Sequence, residues 1–167
     1  MFKLHGSTTW GLDTTGGFHA FDTNQFVDGK FEFQNLIATP GTTKLGHCEG
    51  LLKPLWTKAA ELIRAADIIV FMGYRFPPSD SYARRTILGA IRDNGRGYVR
   101  IHTVLGPDRP TDTSRLTTML KAVLDGRGRQ QREDPNDYRN NQYSIVPQPL
   151  YAQDFLTVYT DKMLEGW

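Results

Sequence analysis

Apolar positions from residue 54 onward fall into two alternating periods, helical and extended. Leu55, Ala59, Leu62, Ile63 and Ala66 recur at helical spacing after Pro54, whose missing N–H costs nothing in a first helical turn. Ile68 to Met72 is an unbroken apolar run between Asp67 and Gly73, as expected of a strand covered on both faces. Ser79 or Asp80 then caps a helix with Ala83, Ile87, Leu88 and Ile91 on its apolar face, ended by Asn94-Gly95. Tyr98 to Leu105 reads as a strand. Asp112 or Thr113 caps a helix through Leu116, Met119, Leu120, Val123 and Leu124, stopped by Gly126. A polar loop, 126–142, leads to a strand at 143–146 and a last helix, 152–164, with Phe155, Leu156, Tyr159 and Met163 on one side.

The first 52 residues follow another rule. Phe2 to His5 is a short strand candidate, and a domain opening on a core strand is expected to be the back part of something larger. Thr8 to Leu52 is rich in Gly and Thr and poor in helical periodicity. Within it, Asp28-Gly29 between Gln25 and Phe33 is a tight-turn hairpin signal. The pattern predicts an α/β fold: a Rossmann-like parallel sheet with helices on both faces. A small irregular module, 8–52, is inserted ahead of the α/β portion, 53–167.

Composition narrows this picture only a little. The 167 residues are 39% hydrophobic and 23% charged, enough for one globular domain with a buried core. A net charge of +2 neither demands nor excludes nucleic acid. Arg84, Arg85, Arg92, Arg96 and Arg100 cluster around one helix, which a solvated face explains at least as well as a nucleic-acid stripe. Cys48 is the single cysteine, so no internal disulfide framework exists and a reducing, cytoplasmic setting is expected. No apolar run is long enough to span a bilayer. His19, His47 and Cys48 match no tetrahedral metal-ligand spacing, and no metal is expected.

In a parallel sheet the C-terminal strand ends share one rim, where ligands bind. Three predicted strands deliver turn chemistry there: His5-Gly6-Ser7, Gly73-Tyr74-Arg75 and Gly106-Pro107-Asp108. Glycines let a ligand approach the backbone, and the helix beginning near Asp80 offers N–H groups to an anion. Spacing alone leaves open that Gly73 and Gly106 merely end strands. It also leaves His5 open between a base working near neutral pH and a hydrogen-bonded structural histidine.

Three segments, in order, resemble the C-terminal half of the SIR2-like (sirtuin-related) NAD-binding domains. Lys3-Leu4-His5-Gly6-Ser7 resembles the element carrying the family's catalytic histidine. Pro54-Leu55-Trp56, with Ala65-Ala66-Asp67, resembles the helix preceding the second motif. Gly73-Tyr74-Arg75-Phe76-Pro77-Pro78-Ser79-Asp80 resembles the bacterial Gly-Tyr-Ser-Leu/Phe-Pro-Pro-Thr-Asp motif. The resemblance implies NAD as substrate or ligand, with His5 as general base. It also implies that Gly6, Ser7, Gly73, Tyr74, Arg75, Asp80 and Gly106 bind the cofactor.

The departures are specific. Arg75 replaces a serine, Gly106 stands where sirtuins place an asparagine, and the four-cysteine zinc module of deacetylases is absent. Relatives without that module include NAD-hydrolysing proteins of bacterial phage defence. The family's pyrophosphate-cradling Gly-Ala-Gly-Ile-Ser loop and its Asn-x-Asp motif lie upstream of the histidine and have no counterpart here. The expected partners are therefore NAD or ADP-ribose, together with an N-terminal half supplied by another chain, or a second copy pairing exposed sheet edges. The alternative is a non-catalytic module that binds NAD, ADP-ribose or a protein.

Overall fold

A computed structural model describes residues 3–20, 34–38, 44–126 and 142–164. The chain divides into two compact units, Met1–Ala59 and Ala60–Trp167.

The first unit carries β1 (Gly6–Leu12), β2 (Phe18–Ala20), β3 (Gln34–Ile37), α1 (Lys44–Glu49) and the start of α2 (Lys53–Ala65). Its sheet is antiparallel, ordered β2-β1-β3, with Trp10 opposite Ala20 and Gly6 opposite Ile37. The β1–β2 turn is built by Asp13, whose Oδ1 accepts N–H bonds from Thr15 and Gly17, both at 2.8 Å. The Thr15 hydroxyl, then His19 and the Gly17 N–H, hold the Asp13 carboxyl well below the usual carboxylate range. Cys48, Leu52 and Trp56 are buried.

The expected strand at 2–5 is corrected here. Residues 4 and 5 form a turn closed by the Gly6 N–H on the Lys3 carbonyl (2.8 Å), and the strand begins only at Gly6. The threonines after Ser7 favour the extended, half-buried backbone that Lys3-Leu4-His5 does not adopt. The hairpin expected at 25–33 lies outside the described residues, as does the polar loop at 127–141.

The second unit is the α/β part. After the end of α2 come β4 (Ile68–Met72), α3 (Ser81–Arg92), β5 (Tyr98–Val104), α4 (Pro110–Asp125), β6 (Gln142–Gln148) and α5 (Ala152–Leu164). Its sheet is parallel and three-stranded, ordered β4-β5-β6. Met72 pairs with Val104, and Val104 with Gln148, so the three C-terminal ends lie level. Pro147 is tolerated in β6 because that strand is an edge among the described residues.

One sheet face presents Ile69 and Phe71 from β4 and Val99 and Ile101 from β5 to Ile91 of α3 and Leu116, Leu120 and Leu124 of α4. The opposite face is covered by α5, whose Phe155 and Tyr159 rings lie 6.0 and 5.1 Å from the His102 ring. Helices therefore flank this sheet on both sides. β4 departs from the expectation of two covered faces. Ile69 and Phe71 are buried, but Ile68, Val70 and Met72 are 47%, 36% and 42% exposed, and β4 is an unpaired edge among the described residues.

Two helix boundaries have local causes. α4 starts at Pro110, two residues before the expected cap, because proline at the first position sets the helical φ without needing a donor. The end of α2 is satisfied from the turn after α3. Asn94 Nδ2 donates to the carbonyls of Ile63 (2.7 Å) and Ala66 (2.9 Å), while Arg96 Nε donates to that of Ala65 (2.7 Å). Among the described residues no helix is long and apolar enough to cross a membrane.

Candidate functional site

The C-terminal rim of the second unit's sheet gathers five of the residues singled out by sequence: Gly73, Tyr74, Arg75, Asp80 and Gly106. β4 leaves the sheet at Gly73, whose φ of 70° belongs to the left-handed region. Its N–H donates to the Val104 carbonyl at 2.9 Å, which fastens the loop to the end of β5. A Cβ at Gly73 would meet nothing within 4 Å, so the backbone is open to approach here.

The residues that follow turn inward. Phe76 is fully buried at a φ of 53°, with its ring 5.0 Å from Phe71 and 4.6 Å from Tyr74. Tyr74 donates its hydroxyl to Asp80 Oδ2 at 3.1 Å. Burial, and then the Asp80 charge, push the Tyr74 phenol well above its ordinary range. Asp80 occupies the N-cap of α3 without a side-chain cap bond. Tyr74 and Asp80 thus bond to each other and brace the loop.

Arg75 points the other way. Its Nη1 lies 3.1 Å from Asp112 Oδ2, and its carbonyl accepts a bond from Arg115 Nη2 at 2.8 Å. The ion pair is partly exposed and contributes at most about 1 kcal/mol. It nevertheless ties the loop to the first turns of α4. An arginine already engaged by a carboxylate is a poorer phosphate ligand than its charge suggests.

At the end of β5, Gly106 also adopts a left-handed φ, 88°. The Tyr151 ring, delivered from beyond β6, lies 3.4 Å from where a Gly106 Cβ would stand. Tyr151 donates its hydroxyl to Asp108 Oδ2 at 2.9 Å. That bond is the main cause of the upward shift of its phenol. Reading by sequence missed Tyr151 because the last strand was expected to stop at residue 146. Following β6 to Gln148 would have placed Tyr151 on the rim.

His5, Gly6 and Ser7 belong to the first unit and do not end a parallel strand, as expected of them; they lead into an antiparallel one. The His5 ring lies 5.4 Å from the Trp56 ring, and its carbonyl accepts the Ala38 N–H at 2.8 Å. Gly6 has a φ of 79°. The buried Ser7 hydroxyl accepts a bond from Lys3 Nζ (3.0 Å) and lies 3.0 Å from Thr9 Oγ1.

Other candidates resolve locally. The arginines around α3 make intramolecular contacts. Arg84 reaches Met119, Arg85 lies over the Tyr82 ring, Arg92 pairs with Asp93, Arg96 with Asp67, and Arg100 lies over Tyr98. Among the described residues no group of three or more His, Cys, Asp or Glu is placed to hold a metal ion.

His102 is a titratable group that the sequence hid inside a mostly apolar strand. It is 3% exposed, accepts the Gln148 amide at Nδ1 (3.1 Å), and has Tyr159 Oη 2.9 Å from both ring nitrogens. Burial, assisted by Arg100, lowers its pKa. The unfolded chain therefore binds this proton more readily than the folded one. Stability is fully present above the unfolded value of about 6.5 and falls as pH drops through the lowered folded value. Thermal melts between pH 8 and pH 5 should show this loss, and His102→Gln should flatten the slope.

The chain matches no family model, no curated protein and no solved structure.

Proposed function

We propose that the chain is the C-terminal part of a Rossmann-like, SIR2-like NAD-binding domain whose parent activity is NAD+ hydrolysis, in a setting such as bacterial phage defence. The observation that carries this reading is the pair Gly73 and Gly106. Two left-handed glycines end neighbouring parallel strands, level with one another, at the rim where dinucleotides lie. The edge of β4, unpaired among the described residues, together with its three exposed apolar side chains, supports a second element of the proposal: further strands of the sheet come from another polypeptide segment.

In the parent reaction water adds to the nicotinamide ribose as its C–N bond breaks, giving ADP-ribose, nicotinamide and a proton. By the resemblance, His5 of the first unit is the candidate base or orienting group, and Gly73 and Gly106 of the second unit are candidates for the adenosine side. A second reading, a non-catalytic NAD- or ADP-ribose-binding module, is favoured by the engagement of Arg75 with Asp112.

A thermal melt of the chain with and without millimolar NAD tests the shared part. Binding to the native state at tenfold excess over Kd stabilises it by about 1.4 kcal/mol, so a rise of a few degrees is expected with NAD and with ADP-ribose. No shift with either ligand would overturn both readings. Nicotinamide release separates them. A hydrolase, assayed together with the second polypeptide segment proposed above, loses turnover on His5→Ala while keeping the melt shift, whereas a binder has no turnover to lose.

A further inference from the structure

We propose that Tyr151 is a fixed stacking shelf for the planar, uncharged ring of a ligand lying along the rim of the second unit. The identity of that ring, the nucleobase of NAD or ADP-ribose, rests on the function proposed above; the shelf rests on geometry.

Two contacts hold the side chain and a third fixes its backbone. One side of its ring packs against Gly106, 3.4 Å from the Cβ position that glycine leaves empty. Its hydroxyl is anchored on Asp108, 2.9 Å away. Its carbonyl accepts the Phe155 N–H at 3.0 Å, the first turn of α5, and Phe155 is itself buried. Tyr151 is nevertheless 51% exposed. An aromatic ring held at two points on a fixed backbone and open to solvent has already lost much of the rotamer freedom that stacking would otherwise cost.

The surroundings define what can lie on it. Asp108 puts a carboxylate at the edge of the ring, which disfavours a phosphate there and favours a neutral ring carrying hydroxyl donors. That description fits a nucleoside. Glycine suits position 106 because any side chain at its φ of 88° would be strained, while the Tyr151 ring lies at ordinary contact distance from the Cβ position.

The test is calorimetric titration of the whole chain with ADP-ribose and, separately, with adenosine. Tyr151→Ala should weaken both on the order of tenfold, the size typical of losing one aromatic–base stack. Tyr151→Phe and Tyr151→Trp, which keep a ring, should stay within about threefold of the parent chain. Should Tyr151→Ala lose the fold, Tyr151→Leu takes its place, because it keeps apolar bulk beside Gly106 without an aromatic face and should also weaken both ligands. If the parent chain binds ADP-ribose and Tyr151→Ala binds it equally well, the shelf is wrong and the NAD reading survives. If adenosine binds through Tyr151 but ADP-ribose does not bind, the shelf stands and the NAD reading falls. Binding of neither ligand overturns both.

Discussion

Replacing Phe76 by alanine is expected to remove about 3–5 kcal/mol of stability, a large share of what a small domain possesses. Phe76 is fully buried, and its ring contacts both Phe71 of β4 and Tyr74 of the rim loop. The backbone adds a second test. At a φ of 53° a side chain bears a penalty of about 1–2 kcal/mol that glycine escapes. Phe76→Gly should therefore be more stable than Phe76→Ala by about 1 kcal/mol, reversing the usual order of the two residues. Urea unfolding followed by circular dichroism measures both. Glycine proving worse than alanine would show that the loop does not hold residue 76 in the left-handed region. Because Tyr74 packs on this ring, Phe76→Ala should also loosen the Gly73 turn and abolish any ligand-induced melt shift.

How far such features can be read from sequence depends on how local their causes are. α2, α3 and α4 were legible because their apolar faces repeat every three to four residues. Ile68 to Met72 was legible as a strand, but its uniformly apolar side chains carry no alternation, so nothing in the run says which face stays open. Only the register with Arg100, His102 and Val104 and the placement of α5 decide that. Phe2 to His5 misled for a related reason: a short alternating stretch is consistent with a strand, whereas pairing with β2 and β3 selects Gly6–Leu12 instead. Gly73 and Gly106 were legible as turn residues. Their neighbours were not, since Arg75 meets Asp112, Asp108 meets Tyr151, and His102 meets Tyr159 across separations of 37, 43 and 57 residues.

Those long separations also explain how the rim keeps its form. Arg75–Asp112 ties the loop after β4 to α4, and Asp108–Tyr151 ties the loop after β5 to the start of α5. Each bond is individually modest. Together with the Gly73 N–H on Val104, they link all three strand ends. The polar residues of the rim are thus mostly spent on its own geometry, leaving glycine backbone and the Tyr151 ring as the parts open to a ligand. That division fits recognition of a flat ring and backbone-bonded groups better than recognition by free charges.

At the opposite, N-terminal side of the same sheet, Asn94 should give the second large effect. It is 3% exposed and makes three bonds: to the carbonyls of Ile63 and Ala66, and from the Arg96 N–H at 2.9 Å. The Ile63 carbonyl also accepts the Ala66 N–H at 3.3 Å, whereas the Ala66 carbonyl lies past the helix end. Asn94→Ala strips a donor from both part-buried carbonyls and is expected to cost about 1–3 kcal/mol. Asn94→Asp keeps the shape but faces two carbonyl oxygens with a third acceptor, so the folded state holds its carboxyl protonated more firmly than the unfolded chain does. The unfolded chain then binds fewer protons, and stability falls as pH rises above about 4. Relative to the parent chain, Asn94→Asp should be nearly tolerated at pH 3.5 and as damaging as alanine, or worse, at pH 7. Urea melts at the two pH values decide it. A pH-independent loss would mean that the side-chain amide is not the donor closing α2, and that the turn after α3 holds the helix end through Arg96 and the Gly95 N–H on Arg64 alone.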